Sequence, residues 1–534
     1  MIMHALTRLQ EEHGYLPAAE LHALARRLHV PLYRLHGVAS FYPRFRLQPP
    51  PAVEVNICRD LSCWLRGASD LHDIVRTTAE ALDIADVQIT ATSCLGQCDG
   101  APALVINQRC YTDVNAQRIA SLLHTAASAR TLRRQRLLPG SRGFACNPYA
   151  GASTYEALRQ LRSTQNPEAI LAALKQSGLH GMGGAGLPTG IKWDLVRNAP
   201  GTVKYVICNA HESEPGSFKD RVILQHLPDL VLEGMALAAH IVGAQKAMIY
   251  LRHEYEREHA ILQKTLRQRQ HEGILGALEL DIVTSPGGYI CGEETALLEA
   301  LQDQRAEPRN TPPFPGTHGL FGQPTLLNNV ETFAMVPGIV LKGGAWWAAQ
   351  GKNGASGLKL LALSGHIRQP GVYEVPLGST VTELIQLAGG MRHGRALKAF
   401  APGGVSSGFL PASLADTPLE FRSLAALGSM FGSGALVVVA EGTCMLELAL
   451  NVGRFFRRES CGKCVPCRLG CDKIVLLLEG ILQGRGSLAD LALIDDLAAT
   501  MAATSICGLG QAAPNPILSV MQYFRDDIRR YVTG

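Results

Sequence analysis

The sequence predicts a multidomain α/β protein that ends in a helical bundle. Three observations carry this prediction. At 534 residues the chain is too long for one ordinary core, since single domains usually hold ~100–200 residues. Strand-like and helical patterning alternate as far as residue 440, and beyond it the periodicity is almost wholly helical. Hydrophobic residues make up 47% and charged ones 18%, which suits well-filled cores and leaves little for long disordered tails.

Taken in order, residues 1–45 read as short helices, with Leu6, Leu9, Leu16, Leu21, Leu24 and Leu28 at roughly helical spacing. A proline-rich break at Gln48–Pro51 follows. Residues 46–128 alternate VEVNIC, a helix near Leu71–Leu82, VQITATSC, PALVINQRCYT and a closing helix at Ala116–Ala127, a small α/β unit whose cysteines sit at strand ends. The arginine-rich, polar stretch 129–165 reads as a connector. Residues 166–350 form the largest domain, with strands expected at 204–209, 247–251 and 278–283 and a long helix at 227–242. Residues 356–440 suggest a β-grasp-like module around the Pro370-Gly371 turn, and 441–534 the bundle.

The formal charge of +4 is spread along the chain, with no basic stripe of the kind nucleic-acid binding needs. No apolar run reaches the ~18 residues of a membrane span, and the amphipathic start MIMHALTRLQEEHGYLP carries acids where a secretory signal would be apolar. A cytoplasmic protein is expected. Fourteen cysteines in a reducing compartment read as thiols and metal ligands rather than disulfides.

Cys461, Cys464 and Cys467 at C-x2-C-x2-C spacing, with Cys507 on a later turn, suit one face of a [4Fe–4S] cubane closed by a distant fourth thiolate. A four-thiolate structural zinc is the rival reading. Cys471 reads as a buried helical thiol. Cys58-x4-Cys63 and Cys94-x3-Cys98, on loops made polar by Asp60, Ser62, Gln97 and Asp99, suit a [2Fe–2S] rhomb, again with zinc as the alternative. The remaining cysteines are isolated and read as core or surface thiols.

The loop Gly181–Gly190 contains G-x-G-x-x-G, whose glycines let backbone amides approach a phosphate. It follows a helical segment rather than a strand, so it lacks the context of an ordinary dinucleotide fingerprint, and a plain glycine turn is the bland alternative. Lys192, the acidic turn from Asn209 through Glu212 and Glu214 to Arg221, and the segment Gly287–Glu294 add carboxylates, amides and an aromatic ring suited to an isoalloxazine, its ribityl chain and a second nucleotide.

Together these stretches resemble the NADH-oxidising flavoprotein subunit of respiratory complex I and the diaphorase subunits of NAD-dependent formate dehydrogenases and NAD-reducing hydrogenases. Residues 1–128 resemble the small thioredoxin-like [2Fe–2S] ferredoxin component of the same complexes, fused in front. The resemblance implies a Rossmann-like FMN domain, an SLBB domain of β-grasp type and a [4Fe–4S] bundle. It implies Gly181, Gly183, Gly184, Lys192, Asn209, Glu212, Tyr289, Gly292, Glu293, Asn328 and Asn329 around FMN, with Glu214, Glu294 and Phe314 facing NAD(H). Cys461, Cys464, Cys467 and Cys507 would hold one cluster, and Cys58, Cys63, Cys94 and Cys98 the other.

Four positions depart from the family pattern. Met182 replaces an arginine, Leu187 a phenylalanine, His211 an acid and Thr311 a lysine; the first three are expected to crowd the flavin and nicotinamide pocket, and loss of positive charge weakens pyrophosphate binding. The segments Ala401–Ala412 and Pro418–Phe421 and the ending from Ser505 to Pro516 look most like formate dehydrogenase β subunits. That likeness implies a molybdenum- or tungsten-bearing catalytic partner. A hydrogenase or complex I partner is the alternative, and a non-catalytic cluster- or zinc-bearing scaffold is the reading from another class.

Overall fold

The computed structural model describes residues 2–84, 86–127, 143–149 and 154–532. Three helices, Ile2–His13, Ala18–Leu28 and Leu32–Phe41, open the chain. Their leucines do not close a core of their own: Leu6, Leu21, Leu24 and Leu35 join one cluster with Ile290, Leu297 and the C-terminal helices. The Tyr42 hydroxyl donates to the Gln304 carbonyl at 2.6 Å, fixing this segment to the central domain.

The first sheet holds β1 (Val53–Cys58), β2 (Val87–Thr92), β3 (Leu104–Ile106) and β4 (Arg109–Tyr111) in the order β2-β1-β3-β4. Alternate burial of Val53, Val55 and Ile57 sets the face of β1 that packs on the helices. The second sheet is wholly parallel: β5 (Tyr205–Ala210), β6 (Lys246–Arg252), β7 (Glu279–Ser285) and β8 (Thr325–Asn329), ordered β7-β6-β5-β8. The chain winds outward from β5 through β6 and β7 and returns to the other flank of β5 as β8. Such a switch point opens a crevice at the carboxyl ends of the strands, and here those ends carry Asn209 and Asn329 as register partners. The third sheet holds β9 (Leu358–Gly365), β10 (Gly371–Pro376), β11 (Leu397–Ala401), β12 (Leu410–Pro411) and β13 (Ala435–Ala440), ordered β10-β9-β13-β11-β12. Helices Met445–Glu459, Val465–Gly480, Leu488–Thr504 and Asn515–Tyr523 build the bundle.

The expected strands at 204–209, 247–251 and 278–283 form within a residue or two of their predicted bounds, whereas β8 was not expected. Part of the predicted connector, 129–142 and 150–153, lies outside the described residues. The remainder corrects that reading. Tyr149, Tyr155, Leu158 and Leu161 are buried in the core of the second sheet, so an apolar stripe outweighs the polar composition that suggested a linker. No single helix among the described residues is long and apolar enough to cross a membrane; Lys219–His226 and Pro228–Val242 qualify only together and meet at a 95° bend.

Glu233 stands fully buried on Pro228–Val242 and accepts the Tyr149 hydroxyl at 2.7 Å and the Leu158 amide at 3.0 Å. Burial pushes its carboxyl up to about 7 despite those donors. The folded protein therefore keeps a proton that the unfolded chain releases near 4.5. The stability from this group is complete below that pH and is lost as pH rises to about 7. Glu233→Gln is expected to flatten the decline in melting temperature across this window; an unchanged slope in the variant would contradict the assignment.

Candidate functional site

The glycine loop lies between helices Pro167–Ser177 and Thr189–Asn198, as the sequence context suggested, and not after a strand. The Gly181 amide donates to the Leu187 carbonyl at 2.8 Å, closing the loop on itself. Gly184 has φ +133° and a side chain there would stand in open space, whereas one at Gly183 would come within 3.0 Å of Asn329 Cβ. The loop thus rests on the end of β8 and presents backbone to the crevice, an arrangement that fits a phosphate-bearing cofactor.

Lys192, on the helix that follows, pairs with Glu294 across the crevice. Asn209 donates to the Gly292 carbonyl at 2.8 Å and accepts the His211 amide at 3.1 Å, so the turn after β5 and the turn after β7 are held together. The Tyr289 hydroxyl donates to Glu214 at 2.6 Å, and Glu214 also accepts the Ser406 amide at 2.9 Å and the Ser406 hydroxyl at 3.2 Å. Burial raises the Glu214 carboxyl above its ordinary range, against these donors. Ser406 comes from the third sheet's domain and was not singled out from sequence; its place in the Gly-Gly-Val-Ser-Ser-Gly run was the available signal.

Several predicted residues serve the scaffold. Glu212 accepts the Asp220 and Arg221 amides at 3.1 Å, the Ser217 hydroxyl at 2.6 Å and the Tyr255 hydroxyl at 2.9 Å, so both oxygens are engaged within the protein. Glu293 caps helix Glu294–Leu301 by accepting the Thr295 and Ala296 amides. Asn328 is buried and accepts from the Trp193 indole at 2.9 Å. Asn329 caps Val330–Lys342 and bonds Lys219 and Asp220. Phe314 is 62% exposed, at the start of the short helix Pro315–His318.

Two of the unusual residues do not crowd the pocket as expected. Met182 is 1% exposed and packs in the core of the second sheet while its amide donates to Thr332 Oγ1 at 2.9 Å. An apolar side chain turns into the core where a charged one would turn to water. His211 turns behind the Gly288–Gly292 turn, donating Nε2 to the Gly288 carbonyl at 2.8 Å; burial pushes its imidazole down to about 3, so it is neutral. Leu187 and Thr311 are exposed.

Beneath the crevice lies a buried charge cluster. Lys219 contacts Asp220 at 2.6 Å and Glu331 at 3.0 Å, and Lys359 of β9 contacts Glu331, all at most 2% exposed. Burial opposes the Lys219 charge, but Asp220, Glu331 and Glu212 outweigh it and hold the ammonium above its ordinary range. Burial pushes Lys359 down to about 8. These pairs fasten β9 to the floor of the crevice.

Cys58, Cys63, Cys94 and Cys98 come together at 6% exposure or less, with Cys94 Sγ and Cys98 Sγ 3.4 Å apart. The two cysteine loops are joined where Asp60 accepts the Cys94 amide at 2.7 Å. The central domain grips them through Arg252, which donates to the Cys94 carbonyl at 2.8 Å, and Arg221, which donates to Asp99 at 2.6 Å. Cys461, Cys464, Cys467 and Cys507 line one recess with Ile290, Pro308, Lys463, Ile506 and Leu509. Both donor sets fit polynuclear clusters.

Glu459 joins all three places. It accepts the Tyr289 amide at 2.7 Å, bonds the Ser93 hydroxyl beside Cys94, and lies two residues before Cys461. Tyr289 also meets Phe455 edge-on at a centroid distance of 5.0 Å.

Four families match along the chain: the thioredoxin-like [2Fe–2S] ferredoxin over residues 1–127, the Nuo51 FMN-binding domain over 174–338, the SLBB domain over 361–410, and the NADH-ubiquinone oxidoreductase-F iron–sulfur binding region over 447–531. The second F-type NADH-quinone oxidoreductase subunit of Rhizobium meliloti is 41% identical over 73% of this chain and 95% of its own length. The NADP-reducing hydrogenase subunit HndC of Solidesulfovibrio fructosivorans is 37% identical over 76% of this chain and 85% of its own. A chain of an NAD+-reducing [NiFe]-hydrogenase in the H2-reduced state superposes with a TM-score of 0.90, 32% identity, and coverage of 99% of this chain and 93% of that one.

Proposed function

The chain belongs to the family of F-type NADH-quinone oxidoreductase flavoprotein subunits, and from that premise we propose that it serves as the nicotinamide-facing component of a formate dehydrogenase. It is an NADH-dehydrogenase-type FMN and iron–sulfur diaphorase subunit, with a [2Fe–2S], an FMN-binding and a [4Fe–4S] domain in one chain.

The observation that carries the diaphorase chemistry is the turn at Tyr289-Ile290. Its hydroxyl end holds Glu214 in the crevice, its amide is held by Glu459, and Ile290 lines the recess of the second cysteine set. One rigid turn therefore borders both the flavin crevice and a cluster site. When bound, FMN supplies the conversion between hydride pairs, which nicotinamides carry, and single electrons, which clusters carry.

The residues of this chain bind and orient. Backbone amides of Gly183 and Gly184 would receive the flavin phosphate, in a loop that the Gly181 amide closes on Leu187, with Lys192 as a nearby cation whose direction Glu294 sets. Asn209, Gly292, Asn328 and Asn329 fix the walls at the switch point, and Glu212 and Glu293 brace the turns that carry them. Glu214, locked by Tyr289 and Ser406, offers the nicotinamide a fixed polar edge, and Phe314 an apolar face. No side chain need move a proton for hydride transfer. Cys461, Cys464, Cys467 and Cys507 would hold the [4Fe–4S] cluster, and Cys58, Cys63, Cys94 and Cys98 the [2Fe–2S] cluster.

Formate as the ultimate donor is supported by the sequence of Ala401–Ala412 and Pro418–Phe421. A hydrogenase partner is the second reading, favoured by the whole-length likeness to a chain of an NAD+-reducing hydrogenase. The complex, isolated from its host with all its subunits, is expected to reduce NAD+ in the cytoplasm's redox range with formate and not with hydrogen. Activity with hydrogen, and nickel in place of molybdenum or tungsten, would overturn the formate assignment while leaving the diaphorase role intact.

A further inference from the structure

The four thiols of the second cysteine set are not equivalent. Cys467, in the first turn of helix Val465–Gly480, has side-chain donors around it that the others lack among the described residues. The Ser460 hydroxyl lies 3.2 Å from Cys467 Sγ and accepts the Gly462 amide at 3.3 Å. A thiolate bound to a cluster carries no hydrogen, so with Cys467 as a ligand the Ser460 hydroxyl is the donor of this pair. One helical turn on, at i+4 on the same helix, the buried Cys471 lies on the same face as Cys467.

A third group waits close by. Ser505 is 6% exposed and its hydroxyl has no partner among the described residues. A Cβ added at Gly510 would fall within 2.6 Å of Ser505 Oγ and 2.9 Å of Cys467 Cβ, so this glycine leaves room for the Ser505 and Cys467 side chains side by side. An unpaired buried hydroxyl is costly, and a cluster's sulfur beside it would satisfy it.

We propose that Ser460 and Cys471 are tuning residues that donate hydrogen bonds to the Cys467 ligand, withdrawing electron density at one corner of the [4Fe–4S] cluster and raising its reduction potential. Hydrogen bonds to cluster sulfurs set potential in this direction. The inference rests on the reading of Cys467 as a cluster ligand. Neither residue is consumed or changes protonation, so no co-reactant is needed.

The test is a potentiometric titration of the full chain, with the reduced cluster followed by electron paramagnetic resonance, in the unmodified protein, Ser460→Ala, Cys471→Ala, the double variant, Ser460→Thr and Cys471→Ser. At the potential that half-reduces the unmodified cluster, each alanine variant is expected to show an about threefold smaller reduced fraction and the double variant about tenfold, the effect of one and two lost hydrogen bonds. Iron content should stay constant, and the threonine and serine variants should titrate with the unmodified protein. Fully loaded alanine variants with unshifted titrations would overturn the proposal. If the unmodified protein lacks the cluster signal and its four iron ions, the ligand reading itself fails and takes the proposal with it.

Discussion

Lys219→Met is expected to destabilise the central domain by about 3–5 kcal/mol, the usual cost of removing one partner from a buried ion pair. The loss leaves Asp220 and Glu331, both at most 2% exposed, with Lys359 as the remaining cation, and removes a donor to Asn329 at the end of β8. Urea unfolding followed through the fully buried Trp193 should show the drop in midpoint. Lys219→Met with Asp220→Asn should recover part of it, because the second change removes one of the stranded charges. A midpoint within error of the unmodified protein would mean that the cluster is not the fastening between β9 and the crevice.

Cys507→Ala is expected to remove about four of about six iron ions per chain, leaving those of the [2Fe–2S] site. Cys507 precedes the short helix Gly508–Ala512, separate from the Cys461–Cys467 run, so its loss opens the recess without disturbing the other three ligands' backbone. Flavin content and NADH oxidation by a small-molecule acceptor should persist, because Lys192, Asn209 and Glu214 lie on other elements, while electron delivery to the partner subunits drops below detection. Retention of all iron would assign the fourth ligand elsewhere, with Cys471 the first residue to examine.

Much of this architecture is legible in the sequence because short-range spacing encodes it. The cysteine runs, the glycine loop and the turns after β5 and β7 each fall within a dozen residues, and each forms a continuous piece of the site. What was hidden depends on distant pairing. The five residues of β8, ending in two asparagines, carry no strand periodicity of their own and form a strand through pairing with β5. Ser406 reaches Glu214 across 192 positions and Glu459 reaches Ser93 across 366, contacts that no local pattern announces. Met182 looked like a lost pocket charge, yet its side chain turns into the core. Glu212 and Glu293, charged residues in a site motif, are used as caps for backbone amides, a role that only the surrounding helix starts reveal.

The most direct measurement of the central claim is rapid mixing of the anaerobically purified chain with NADH, monitored by absorption and by freeze-quenched electron paramagnetic resonance. The account predicts prompt flavin bleaching followed by a reduced [4Fe–4S] signal in the same chain, without any partner. A protein that carries zinc in place of iron, or that holds flavin and clusters but leaves both unreduced by NADH, would contradict it.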